Sequence, residues 1–112
     1  MSVSIQKQLE FLIDTEDSKD SPQDSLTVLA DMTQDDDGCF EIVVKQVVSG
    51  CASDGNNGWQ EATAEQIEYL VGIVKRWISE GDFYLNEDLD AIFFGNVLEC
   101  DRPKNVTVLI GF

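Results

Sequence analysis

Val3-Ser4-Ile5-Gln6-Lys7-Gln8-Leu9-Glu10-Phe11-Leu12-Ile13-Asp14 opens the ordered part of the pattern, and its reading sets the fold class. Ile5, Leu9, Leu12 and Ile13 recur at i, i+4, i+7 and i+8, which predicts an amphipathic first helix over about residues 3–14, with Ser2 or Ser4 as N-cap. The polar run through Asp24 ends it.

Two β-type segments come next, Leu26 to Thr33 and Phe40 to Val48. The second is rich in β-branched residues and is expected to place Phe40, Ile42, Val44 and Val48 on one face. Gln34-Asp35-Asp36-Asp37-Gly38 joins them as a hairpin loop. Residues 49–58, with three Gly and two Asn, read as an exposed connection.

The most strongly signalled element is a helix after Thr63. Thr63 and Gln66 form a capping box, Ile67, Leu70, Val71, Val74 and Trp77 or Ile78 form one stripe, and Gly81 is the stop. Gly72 inside it is expected to mark a close helix–sheet crossing, since glycine there costs about 1 kcal/mol. Residues 86–99 admit two readings. Asn86 caps a short helix carrying Leu89, Ile92, Phe93 and Val97 inward, or Ala91 to Cys100 is a strand paired with Val106–Gly111 through the 101–105 turn; the helix over 87–94 is favoured. The last segment, Val106 to Gly111, reads as a strand internal to the sheet because both its faces are largely apolar. The expected fold is therefore α+β: one small domain over residues 1–112, with two or three helices packed on one face of a mainly antiparallel sheet of three to four strands.

At 112 residues, 43% hydrophobic and 26% charged, the chain suits a modest core that needs neither disulfide nor metal. The polar start does not resemble a secretory leader, so a cytoplasmic location is expected. Cys39, Cys51 and Cys100 are odd in number and widely spaced, and read as reduced thiols.

The functional signal is charge. Asp and Glu number 22 against 7 Lys and Arg, with no His, for a net charge of −15. Solubility of a small domain needs a magnitude of only ~2–8. Such a surface repels nucleic acid and anionic membranes and attracts basic proteins. The acids concentrate in three clusters: Asp14, Glu16, Asp17, Asp20 and Asp24; Asp35, Asp36 and Asp37; and Asp82, Glu87, Asp88 and Asp90.

Specific chemistry finds no support. Asp35, Asp37 and Gly38 resemble the centre of an EF-hand loop, but its first ligand would be Thr33 and its twelfth Val44, so no metal site is expected. Without His, the usual triads and the commonest general base are missing. Gly55-Asn56-Asn57-Gly58 lacks the Lys of a phosphate loop. Neither enzymatic activity nor a cofactor is expected. Lys75 and Arg76, and Arg102 and Lys104, form no basic stripe for nucleic acid.

What remains is binding. The expected role is that of an acidic, non-catalytic inhibitor of a basic partner, a nuclease toxin or another nucleic-acid-binding effector. It would act as the immunity protein of a bacterial nuclease toxin, or alternatively as a phage-encoded DNA mimic directed at a restriction or CRISPR effector. The three clusters and Trp59, an aromatic anchor candidate, are the expected contacts. In a different class, an adaptor would bind through an apolar patch around Trp59, Phe83 and Phe94.

Overall fold

A computed structural model of the chain describes residues 3–14, 24–53 and 59–112. Strands β1 (Val3–Ile13), β2 (Asp24–Gln34), β3 (Phe40–Ser53) and β4 (Trp59–Glu61) precede the helix α1 (Ala64–Glu80). Strands β5 (Phe83–Leu85), β6 (Ala91–Phe94) and β7 (Val106–Ile110) follow it. All seven strands join one sheet in the order β4-β3-β2-β1-β6-β5, with β7 paired to β3 beside that path. The β1–β6 and β3–β7 pairs are parallel and the others antiparallel.

This corrects the expected architecture, which had too many helices and too few strands. Val3–Ile13 is a strand, paired with β2 along its whole length from Val3↔Gln34 to Ile13↔Asp24. Leu9, Phe11 and Ile13 are buried at a spacing of two, so the period of a strand uses Phe11, which the helical stripe left out. Residues 87–94 are not a helix either. A turn at Asn86–Asp90 leads into β6, whose Ile92 and Phe94 pair with Phe11 and Ile13. The strand reading of this region also had the wrong neighbour, because β6 pairs with β1 and β5, not with β7. β7 is a strand, but it lies at an edge, with β3 as its partner.

The β2–β3 hairpin forms as expected, although its register slips twice, between Thr27/Val28 and Leu29/Ala30. Lys45 and Val48 are the extra residues on β3. Each bulge moves the following side chains to the other face, so Val47 rather than Val48 continues the row from Ile42 and Val44, and Val48 is 52% exposed.

α1 has the predicted capping box between Thr63 and Gln66 and a left-handed Gly81 at its end. Its buried Leu70, Val74 and Trp77 join the core with Leu9, Phe11, Ile13, Leu26, Val28, Ile42, Val44, Ile92, Phe94 and Val108. Phe94 anchors that core, its ring edge-on to Phe11 at 4.8 Å between centroids. The close helix–sheet approach falls at Gly50, where a Cβ would lie 2.9 Å from Leu26 Cδ2 and 3.4 Å from Ile67 Cγ1. Gly72 is exposed and a Cβ there would meet nothing within 4 Å.

Two outcomes follow for urea unfolding. Gly72→Ala raises stability by about 1 kcal/mol, because only helix propensity changes. Gly50→Ala lowers it by roughly 1–3 kcal/mol through overpacking at the crossing.

Candidate functional site: an uncovered sheet face with an acidic margin

Because α1 covers one face of the sheet, the other face has no helix over it among the described residues. Alternation in β1 turns Gln8, Glu10 and Leu12 toward that open face. Strand register then sets Phe93 beside Leu12, and Tyr84 beside Phe93. These three apolar side chains are half-buried, and the Tyr84 and Phe93 rings lie 6.2 Å apart. They form a short apolar row across β1, β6 and β5.

Carboxylates lie on the same strand and on the adjoining turn. Glu10 is the next open-face residue on β1 and is exposed. The Asn86–Asp90 turn packs against the middle of β1. Glu10 N–H donates to Asp90 O at 3.0 Å and Lys7 Nζ to Asp88 O at 3.4 Å. Asn86 shapes the turn, its Oδ1 accepting from the N–H groups of Asp90 and Ala91 at 3.0 Å each. Glu87, Asp88 and Asp90 are thereby presented outward, all exposed.

The three expected acidic clusters do not converge. Asp14 and Asp24 stand at one end of the sheet. Asp35, Asp36 and Asp37 form the β2–β3 hairpin tip at the other, ten residue steps along β2 and roughly 33 Å away. Asp35 Oδ1 accepts from Asp37 N–H at 3.0 Å and Cys39 N–H at 2.9 Å, so one carboxylate of the tip is engaged in shaping its own turn. A shallow groove of about 230 Å³ beside it is lined by Thr33, Asp35, Cys39, Phe40, Glu41 and Thr107. Glu16, Asp17 and Asp20 lie outside the described residues.

Asp82 leaves the third cluster altogether. It is the one buried charged residue among the described residues, 7% exposed, directly after Gly81. Its carboxylate accepts from Val97 N–H at 2.9 Å and Asn96 N–H at 3.2 Å, and lies 3.6 Å from Arg102 Nη2. Gly95 and Asn96 both have positive φ, 90° and 56°, which turns these N–H groups toward one anion. Asp82 therefore closes the 95–102 segment onto the end of α1. Asn96 also donates through Nδ2 to Asp14 Oδ2, and Trp77 Nε1 donates to Asp14 O at 3.2 Å, so Asp14 is held beside α1 and the segment after β6, apart from the open-face row.

The aromatic assignments shift too. Phe83 and Phe94 are core residues, 5% and 0% exposed, and cannot form the apolar patch assigned to them. Trp59 opposes Ser53 where β3 pairs with β4. The patch residues that the sequence reading missed are Leu12 and Phe93, which had been assigned inward-facing helical positions; only a period of two over residues 9–13 and 91–94 reveals them.

No protein-family model, curated protein or solved structure matches this chain.

If the open-face row is surplus to folding, Leu12→Thr and Tyr84→Ser each cost about 1 kcal/mol or less in urea unfolding, whereas Phe94→Ala costs about 3–5 kcal/mol. Asp82→Ala costs about 3 kcal/mol, because it strands two N–H groups and Arg102 around a vacated carboxylate.

Proposed function

We propose that this chain is a non-catalytic acidic binding protein whose partner is basic, and that it acts by occupying the partner's nucleic-acid-binding or active-site groove. The observation that carries this reading is the open-face row Leu12–Phe93–Tyr84, with exposed Glu10 next to it on β1 and exposed Glu87, Asp88 and Asp90 on the adjoining β5–β6 turn. An apolar centre with a charged rim is the ordinary anatomy of a protein interface. The rim speeds encounter with a cationic groove, and the apolar row then slows dissociation.

The immunity protein of a bacterial nuclease toxin, acting in the cytoplasm, is the setting that fits best. A DNA mimic needs carboxylates in a continuous row, and the roughly 33 Å between the Asp14/Asp24 end and the Asp35–Asp37 tip favours a local interface instead. The absence of a catalytic role is likewise part of the proposal. It is supported by the involvement of Asp35 and Asp82 in internal hydrogen bonds. An adaptor role is the second reading, favoured by the same apolar row if charge proves dispensable.

The test is capture from lysate at low salt, followed by assay of the captured protein for nuclease or nucleic-acid-binding activity with and without this chain. Stoichiometric inhibition is expected, with affinity falling at least tenfold between about 50 and 500 mM salt. Glu10→Lys with Asp88→Lys is expected to slow association roughly tenfold, and reversal of Asp35, Asp36 and Asp37 to change it much less. Salt-independent binding that survives both reversals overturns the electrostatic reading and leaves the adaptor.

A further inference from the structure

The edges of the sheet differ in how they are guarded. β4 and β5 are three residues long, too short to template much pairing. β1 extends beyond β6 from Val3 to Leu9, and there it carries Lys7 and the exposed Gln6 and Gln8, the polar and charged residues that blunt an edge. β7 has none of these protections. From Asn105 to Phe112 the chain has no charged residue, although the whole carries 22 acids, and Leu109 and Phe112 are 48% and 59% exposed.

The free side of β7 follows from its bonding to β3. Phe40 N–H donates to Asn105 O at 2.9 Å and Gly111 N–H to Val44 O at 2.8 Å, so the odd-numbered residues of this stretch face β3. The N–H and C=O groups of Val106, Val108 and Ile110 therefore point to the open edge. Alongside that edge runs a groove of about 490 Å³ whose lining includes Ile78, Gly81, Phe83, Val106 and Val108, with Glu80 its one charged residue. Among the described residues, no strand of this chain fills it.

We propose that this edge is a self-association surface, on which a second copy of the chain adds its β7 antiparallel about a two-fold axis. Val108 then faces Val108 of the other copy and Val106 faces Ile110, giving about six main-chain hydrogen bonds. Leu109 lies across from Thr107 on the exposed side and loses solvent contact. Charge selects this occupant. A basic partner gains nothing from an uncharged strand and is drawn to the carboxylates elsewhere, whereas two chains of −15 repel wherever their acids meet and approach most readily through the uncharged run. Arg102 and Lys104, just before that run, balance Glu99 and Asp101, so the segment leading into it adds no net charge. The pairing is independent of the proposed inhibitory role, since the Leu12–Phe93–Tyr84 row belongs to β1, β6 and β5.

Sedimentation equilibrium of the full chain, over a range of concentrations, tests the pairing. A monomer–dimer equilibrium is expected that tightens between about 50 and 500 mM salt, because screening relieves like-charge repulsion. That sign is opposite to the one expected for a basic partner, so failure of either idea is seen separately. Thr107→Glu and Leu109→Glu alter exposed positions, put acids into the uncharged run, and are expected to abolish the dimer without lowering the thermal midpoint by circular dichroism. Val106→Pro deletes an N–H aimed at the open edge and no bond to β3, and is expected to do the same. A monomer at every concentration and salt, a dimer that persists in all three variants, or open-ended assembly in place of a dimer overturns the proposal.

Discussion

Main-chain pairing of β1 on both of its edges is the constraint from which the rest of the structure follows. Eleven residues of β1 pair with β2, and Glu10–Ile13 pair on the other side with β6. The first contact is made through a connection between neighbouring strands, but the second requires the chain to travel through β2, β3, β4, α1 and β5 before it returns. The parallel β1–β6 pair therefore closes the fold. It also brings Phe94 against Phe11 and beside Ile13, and so builds the part of the core on which Trp77 of α1 rests.

Among the described residues a single α-helix covers one face of the seven-stranded sheet, and the open face is the direct result. Its side chains alternate between polar groups and half-buried apolar ones, as expected of an antiparallel sheet facing water. The Leu12–Phe93–Tyr84 row interrupts that mixture where β1, β6 and β5 lie side by side. Asp82 contributes from the other side. By gathering Asn96, Val97 and Arg102 around a buried carboxylate it fixes the segment after β6 and, through Asn96, the position of Asp14. An acid that looks like surface charge in the sequence thus serves as an internal anchor for the end of β1.

Where the sequence misled, the cause was a real ambiguity of period. Leu9 and Ile13 satisfy a spacing of four and equally a spacing of two, and the residues that discriminate are Phe11 and Leu12. A helix takes Leu12 into its stripe, and a strand takes Phe11. The same conflict recurs at 91–94, where a helix claims Phe93 and the strand buries Phe94. Both errors displaced the candidate site, because they sent Leu12 and Phe93 inward and left Phe83 and Phe94 available as surface aromatics. At β3 the bulges at Lys45 and Val48 had a similar effect on a smaller scale.

Local chemistry in the sequence determined α1, since Thr63, Gln66 and Gly81 satisfy the helix ends with neighbours a few residues away, and the apolar stripe is unambiguous over seventeen residues. It also determined the β2–β3 hairpin and the strong negative charge. Tertiary structure alone decided that β1 and β6 are strands, that β7 is an edge, and which acids share a surface. Each of these depends on a hydrogen-bonding partner or a burial partner far away in the chain, and a periodic pattern of side chains specifies a face without specifying what will meet it.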